Sequence, residues 1–234
     1  MGKGKFVVIE GTDGCGKTVQ LNLLVRRLKS SGVRVAVFDF PRYGQPSAYF
    51  AECYLNGDYG SADEVGPFRA SLFFALDRYA AAPAIADALR KYDVVLSNRY
   101  VGSNMAHQGS KIVSRAKRRQ YFKWVTNLEF KILGIPKPDL SVLLHLPARE
   151  AYRLIASKGS RKYIRGKKRD IHEASLKHLE RSERTYLEMA KVFSEEFTLV
   201  ECMDGRRLMA PVEIHKKILA LINKRLGRRV PLSA

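Results

Sequence analysis

A single α/β domain with parallel strands is the fold class this sequence predicts, and three observations predict it. Short apolar runs that end in glycine, proline or polar residues alternate with longer segments of helical spacing. The first run, Phe6-Val-Val-Ile9, passes into Gly11-Thr-Asp-Gly-Cys-Gly-Lys-Thr18, the spacing of a phosphate-cradling loop between a strand and a helix. The length, 234 residues at 46% hydrophobic composition, suffices for one substantial core, so a single domain spans 1–234.

The loop comes first because its chemistry is the most specific. Backbone N–H groups of Gly11, Thr12, Asp13, Gly14, Cys15 and Gly16, with the N-terminus of the next helix, would face a nucleotide's phosphates. Lys17 would reach the β and γ phosphates and the Thr18 hydroxyl would ligate Mg²⁺. The competing reading, a glycine-rich turn that binds nothing, explains neither the flanking strand and helix nor the Lys-Thr ending. Leu21, Leu24, Val25 and Leu28 give the helix at 19–29 one buried face, and 33–40 reads as a second strand closed by Pro41. That is a βαβ unit.

Arg42 follows at the carboxyl end of that strand, where open α/β sheets bind ligands; it is either a second phosphate site or an exposed loop arginine. Helical spacing over 65–90 places Phe68, Leu72, Phe73, Leu76, Tyr79 and Ala80 on an apolar stripe, with a kink or break expected at Pro83. Phe74 and Arg78, four apart, share another face. Together they suit a flat heterocycle, or else they are a core Phe beside a surface Arg.

A third strand, 93–98, ends in Asn98, where many phosphate-loop enzymes carry a metal-holding Asp; a neutral amide is a poorer partner for a hard cation. Residues 101–111 read as a small, polar, substrate-facing loop running into a helix, in which His107 alone is equally a packed or solvated histidine. Helices at 115–133, 148–157 and 171–193, strands at 140–146 and 198–202, a turn at 204–207 and a helix at 212–226 complete the chain. The basic run at 158–170 is either a lid whose cations close over phosphates or an RNA-contacting arm.

The net charge of +19 implies anionic partners without choosing between nucleotides and nucleic acid. Cys15, Cys53 and Cys202 fit neither a disulfide framework nor zinc spacing. No apolar stretch approaches the roughly 18 residues that cross a bilayer, so a cytoplasmic protein with no membrane partner is expected.

These residues together resemble the thymidylate kinases, the nucleoside-monophosphate kinases that phosphorylate dTMP. The matching stretches are the phosphate loop, Phe40-Pro41-Arg42, Phe74-x3-Arg78, Arg99-Tyr100 with Ser103-Asn104 and Gln108-Gly109, the basic lid, and Asp204-Gly205. The resemblance implies a three-layer fold of the P-loop NTPase type: a five-stranded parallel sheet with helices on both faces, a basic lid, and a homodimer. It implies that Lys17, Thr18 and Asp204 serve ATP, with Mg²⁺ held by Thr18 and Asp13. It further implies that Asp13 approaches the acceptor's sugar and the transferring phosphate, that Arg42 and Arg99 hold the 5′-phosphate, and that Phe74 stacks on thymine. Arg78 would then bond a thymine carbonyl, with Ser103, Asn104 and Gln108 nearby. Cys15 stands where some members have a loop arginine, so Arg161, Arg165 and Arg169 of the lid are the candidates for that role. The family's Asp is replaced by Asn98, so metal handling is expected to rely more on Thr18, Asp13 and water, with Asn98 a candidate through water, and His107 stands where a Tyr near the sugar 2′ position is common.

The activity expected is phosphoryl transfer from ATP to dTMP, giving ADP and dTDP. Two rivals remain at this stage: a kinase for another pyrimidine nucleotide, and a nucleic-acid-binding ATPase that uses the basic segments as a phosphate track. A compact second phosphate site and the absence of an aromatic-interleaved basic stripe speak against the latter.

Overall fold

The structure, a computed structural model, describes residues 4–156 and 176–226. Five parallel strands form one sheet in the order β2-β3-β1-β4-β5: β1 is Lys5–Gly11, β2 Val35–Asp39, β3 Val94–Asn98, β4 Leu140–His145 and β5 Phe197–Glu201. The expected sheet is thus present, with β3 inserted between the two strands of the first βαβ unit.

Successive side chains of β1 feed opposite cores, as the twofold period of a strand requires. Val7 and Ile9 meet α1 (Lys17–Ser30) and α8 (Pro211–Leu226) through Leu24, Leu28, Ile218 and Ile222. Phe6 and Val8 meet the other layer, which holds α3 (Ala62–Lys91), α5 (Arg115–Thr126) and α7 (Leu176–Val192). Remaining helices are α2 (Tyr49–Asn56), α4 (Val101–Ser103) and α6 (Ala148–Ala156). A short antiparallel pair, β6 (Met203–Asp204) and β7 (Arg207–Leu208), stands where a plain turn was expected.

Three expectations need correction. The backbone of α3 breaks at Gly66 (φ 74°), whereas Pro83 lies inside the helix. The stripe Phe68, Leu72, Leu76, Tyr79 and Ala80 faces outward, because the buried face of α3 carries small residues, Ala70, Ala75 and Ala81, beside Ser71, Asp77 and Arg78. The same helix sends Ile85 and Leu89 into the core shared with Phe6 and Val8, so its inward face is small near the cavity and larger toward its carboxyl end. Residues 101–108 are not a polar loop: α4 continues as a π-helical turn, Asn104–Gln108, buried throughout. A second π-helical stretch, Asn127–Ile132, extends α5 and turns Glu129 fully inward while Ile132 stays exposed.

Candidate active site

The carboxyl ends of β1, β2 and β3 open onto one cavity of about 440 Å³. Its position follows from topology, since strand ends at the centre of an open parallel sheet leave a crevice between the loops that depart to opposite faces.

The phosphate loop forms one wall. Gly11, Gly14 and Gly16 have φ of 143°, 84° and 93°. At Gly14 the reason is also spatial, because a Cβ would lie 2.4 Å from the Ala151 carbonyl oxygen of α6. Helix α1 begins at Lys17 with no side-chain cap and no acidic residue in its first turn, so its opening N–H groups and positive dipole end suit an anion. The buried Lys17 ammonium donates to the Gly11 and Thr12 carbonyls at 3.0 and 2.8 Å. Burial, and then the Arg99 charge, lower its pKa. Asp13, Gly14, Gly16, Lys17 and Thr18 all line the cavity.

Arg99 forms the floor. It has φ 61°, uncommon for a residue with a side chain, and its N–H is fixed to the Ile9 carbonyl at 2.9 Å. The guanidinium pairs with Asp13 and donates to Ser103 Oγ at 3.1 Å. Burial would lower its pKa, but Asp13 and other anionic neighbours hold it above the ordinary arginine value. Since a guanidinium only donates, His107 Nε2, 3.2 Å away, accepts, which puts the imidazole proton on Nδ1, 3.3 Å from His178 Nε2. Burial, aided by the Arg99 charge and against the pull of Asp13, keeps His107 well below its usual pKa and therefore neutral.

The far wall would face a base. Phe74 lines it and meets Tyr54 edge to face, with centroids 5.9 Å apart. Arg78 lines it too, and its alternative reading as a surface residue fails: it is 2% exposed and forks onto Glu129 at 2.5 and 2.7 Å. That fork takes Nε and Nη2 and leaves Nη1 outside the pair. Asn104 donates to the same carboxylate at 3.0 Å, and Gln108 accepts from the Tyr54 hydroxyl at 3.4 Å.

Of the predicted residues, Gly11, Thr12 and Cys15 of the loop do not line this cavity, and Arg42 and Asp204 stand apart from it. Arg42 follows the cis Phe40–Pro41 peptide and is turned onto Asp77 at 3.0 Å and Ser47 at 2.7 Å, while its neighbours Pro41 and Tyr43 line the cavity. Asp204 lies exposed in the β6–β7 hairpin, 3.3 Å from Arg207. Arg161, Arg165 and Arg169, with the whole basic lid, fall outside the described residues.

Several organising residues escaped sequence reasoning. Glu10, fully buried, accepts from the Tyr100 N–H at 2.8 Å, from Ser103 Oγ at 2.7 Å and from the Tyr186 hydroxyl at 3.3 Å, tying β1 to the turn after β3 and to α7. Its signal was a lone carboxylate closing an apolar strand, and Glu129 gave the same signal at a core-facing helical position. Asp39, at the end of β2, accepts from Asn98 Nδ2 at 2.8 Å. Burial raises its pKa, against the pull of Asn98, Arg99 and Lys17.

Such a cavity, with an anion-binding loop on one wall, a guanidinium floor and an aromatic with amide-bearing neighbours opposite, can hold two nucleotides with their phosphates facing. Comparison with known proteins agrees. A family model described as thymidylate kinase matches residues 9–206. The thymidylate kinase of Mycobacterium tuberculosis (strain CDC 1551 / Oshkosh) is 37% identical over 187 residues, 79% of this chain and 85% of that protein. The probable thymidylate kinase of Pyrococcus abyssi (strain GE5 / Orsay) is 30% identical over 226 residues, covering 96% and 98%. A solved thymidylate kinase from Candida albicans shares the fold, with TM-score 0.71 over 96% of this chain and 94% of that one, at 19% identity. The chain belongs to the thymidylate kinase family and is accordingly an ATP-dependent dTMP kinase.

Proposed function

We propose that the cavity carries out this transfer with the triphosphate of ATP on the loop 11–18 and dTMP between Arg99 and Phe74. The observation that carries the assignment is that Asp13 of the loop and Arg99 below the acceptor wall form one ion pair, so the two phosphate sites share a floor. Both substrates are polyanions; Lys17 and Arg99 offset their repulsion and hold them in line. The acceptor phosphate is already ionised near neutral pH, so no side chain need act as a base. Neutral His107 fixes the Arg99 guanidinium and borders the sugar. Arg78 offers Nη1 to a thymine carbonyl while Phe74 stacks on the ring. Arg42, with Nη1 outside its contacts to Asp77 and Ser47, reaches the 5′-phosphate after a side-chain shift, and Asp204 approaches ATP from the hairpin. Arg161, Arg165 and Arg169 supply the cations that the loop, with Cys15, lacks.

Mg²⁺ fits the oxygen-rich donor set here: Thr18 and Asp13 line the cavity, and the buried Asn98 Oδ1 has no hydrogen-bond partner. Thr18 and Asp13 would hold the ion, with Asn98 acting through water, and it would neutralise charge on the phosphates. The exposed stripe on α3, with Tyr49 and Phe50 of α2 beside it, is the face on which a second copy packs to give a homodimer. The enzyme works as one domain on cytoplasmic nucleotides. The deciding assay is coupled ADP release with dTMP, dUMP, dCMP and dGMP as acceptors: dTMP is expected to be strongly preferred, and equal rates across the panel would overturn the base-site assignment.

A further inference from the structure

The carboxylate that hydrated metal calls for lies one strand farther from the phosphate loop than is usual. Strands β2 and β3 are parallel and in register, so Asp39 and Asn98 stand opposite each other at their carboxyl ends. An Asp that closes the strand beside the phosphate loop commonly holds Mg²⁺ in phosphate-loop enzymes, and here that place is taken by an amide. Asp39 Oδ1 accepts from Asn98 Nδ2 at 2.8 Å. Because an ionised carboxylate only accepts, this contact fixes the amide: nitrogen toward Asp39, oxygen away from it. That oxygen is buried without a partner, and Asn98 is 7% exposed. Both side chains line the cavity together with Lys17 and Thr18. Buried acceptors are rarely left unsatisfied, so the oxygen points to a donor that arrives with a ligand. Magnesium keeps several of its waters when it binds nucleotide phosphates, and those waters are donors.

We propose that Asn98 and Asp39 form a divided outer-sphere site for the hydrated divalent cation on the nucleotide. Asn98 Oδ1 accepts a hydrogen bond from a metal-bound water, and Asp39 supplies the negative charge that the amide lacks and holds the amide in that orientation. This deepens the reading of the cavity as a metal–nucleotide site and rests on it. Asp39 is a positioning residue: it acts on the cation through Asn98 and through its field, and breaks no bond.

The test is a Mn²⁺ titration of the full chain saturated with a non-hydrolysable ATP analogue, followed by the electron paramagnetic resonance signal of free Mn²⁺. Asp39→Asn is expected to weaken Mn²⁺ binding in the complex by about tenfold, the lower range for outer-shell partners of a metal. The exchange Asp39→Asn with Asn98→Asp keeps one carboxylate in the pair and is expected to restore affinity. Asn98→Ala, which removes the accepting oxygen, reports on the same site should Asp39→Asn fail to fold. Unchanged Mn²⁺ affinity in Asp39→Asn or in Asn98→Ala, or an exchanged pair as weak as the single variant, overturns the proposal. A wild-type chain that binds the analogue but no Mn²⁺ overturns the metal–nucleotide reading itself, an outcome seen before any variant is made.

Discussion

Asp13 and Arg99, 86 positions apart, form an ion pair that joins the phosphate loop after β1 to the turn after β3. The contact joins the loop wall of the cavity to its floor, and it depends on a fork. Arg99 also donates to Ser103 and His107 from its other nitrogen, a planar arrangement that an ammonium cannot copy.

Arg99→Lys is therefore expected to lower kcat/KM for dTMP even though the charge is kept. Loss of one or two charged hydrogen bonds, about 1.5–3 kcal/mol each, corresponds to a fall of at least about tenfold. Steady-state kinetics with dTMP as the varied substrate checks this; wild-type values in the lysine variant would leave only the charge, and not the fork, as the relevant property.

The Arg78–Glu129 pair is buried on both sides, so removing one charge strands the other. Glu129→Gln is expected to destabilise the fold by on the order of 3 kcal/mol and to raise the KM for dTMP, because Arg78 loses the partner that orients it. Arg78→Ala should raise the KM for dTMP more than that for ATP. Urea unfolding and paired KM measurements separate the two effects, and an unchanged dTMP KM in Arg78→Ala would remove that residue from the base site.

Gly14 and Gly16 both hold positive φ, but only Gly14 faces a wall, the Ala151 carbonyl. Each alanine substitution carries about 1–2 kcal/mol of left-handed strain, and Gly14→Ala adds a backbone clash. Gly14→Ala should melt at a lower temperature than Gly16→Ala; the reverse order in a thermal scan would contradict the loop packing described here.

His145 bridges Glu183 of α7 at 2.9 Å and Glu201 of β5 at 2.6 Å, and the Glu183 hydrogen bond, then Glu201, raise its pKa. A histidine raised on folding stabilises the protein fully below its unfolded pKa of about 6.5, and that contribution is lost as pH rises through the higher folded value. His145→Gln should therefore lower Tm more at pH 6 than at pH 8.5. Equal differences at both pH values would show that the imidazolium form contributes nothing.

Exposed Phe68, Leu72, Leu76 and Tyr79 give α3 an outward apolar face. Leu72→Glu with Leu76→Glu is expected to shift sedimentation from dimer to monomer while leaving the cavity residues in place, since neither lines it. A double variant with the wild-type sedimentation coefficient would remove this face as the proposed dimer contact.

The sequence alone determined the α/β class, the five strands of the parallel sheet and the phosphate loop, because these are local: a twofold or helical period, glycines where φ must be positive, and a fixed Lys-Thr spacing all act over a few residues. It also singled out Arg99, Phe74, Arg78 and Asn98 as residues at strand ends or on one helical face. Only the tertiary structure decided what those residues do to each other. Periodicity says that a helix has an apolar face but not which face meets the sheet, so α3 turned Ala70, Ala75 and Ala81 inward and Phe68, Leu72, Leu76 and Tyr79 out. Charges inside apolar segments, Glu10, Asp39 and Glu129, took their roles from partners 90, 59 and 51 positions away. Burial without such a partner is costly for a carboxylate, and a partner of that kind is chosen by the packing of whole elements, which no short stretch of sequence encodes.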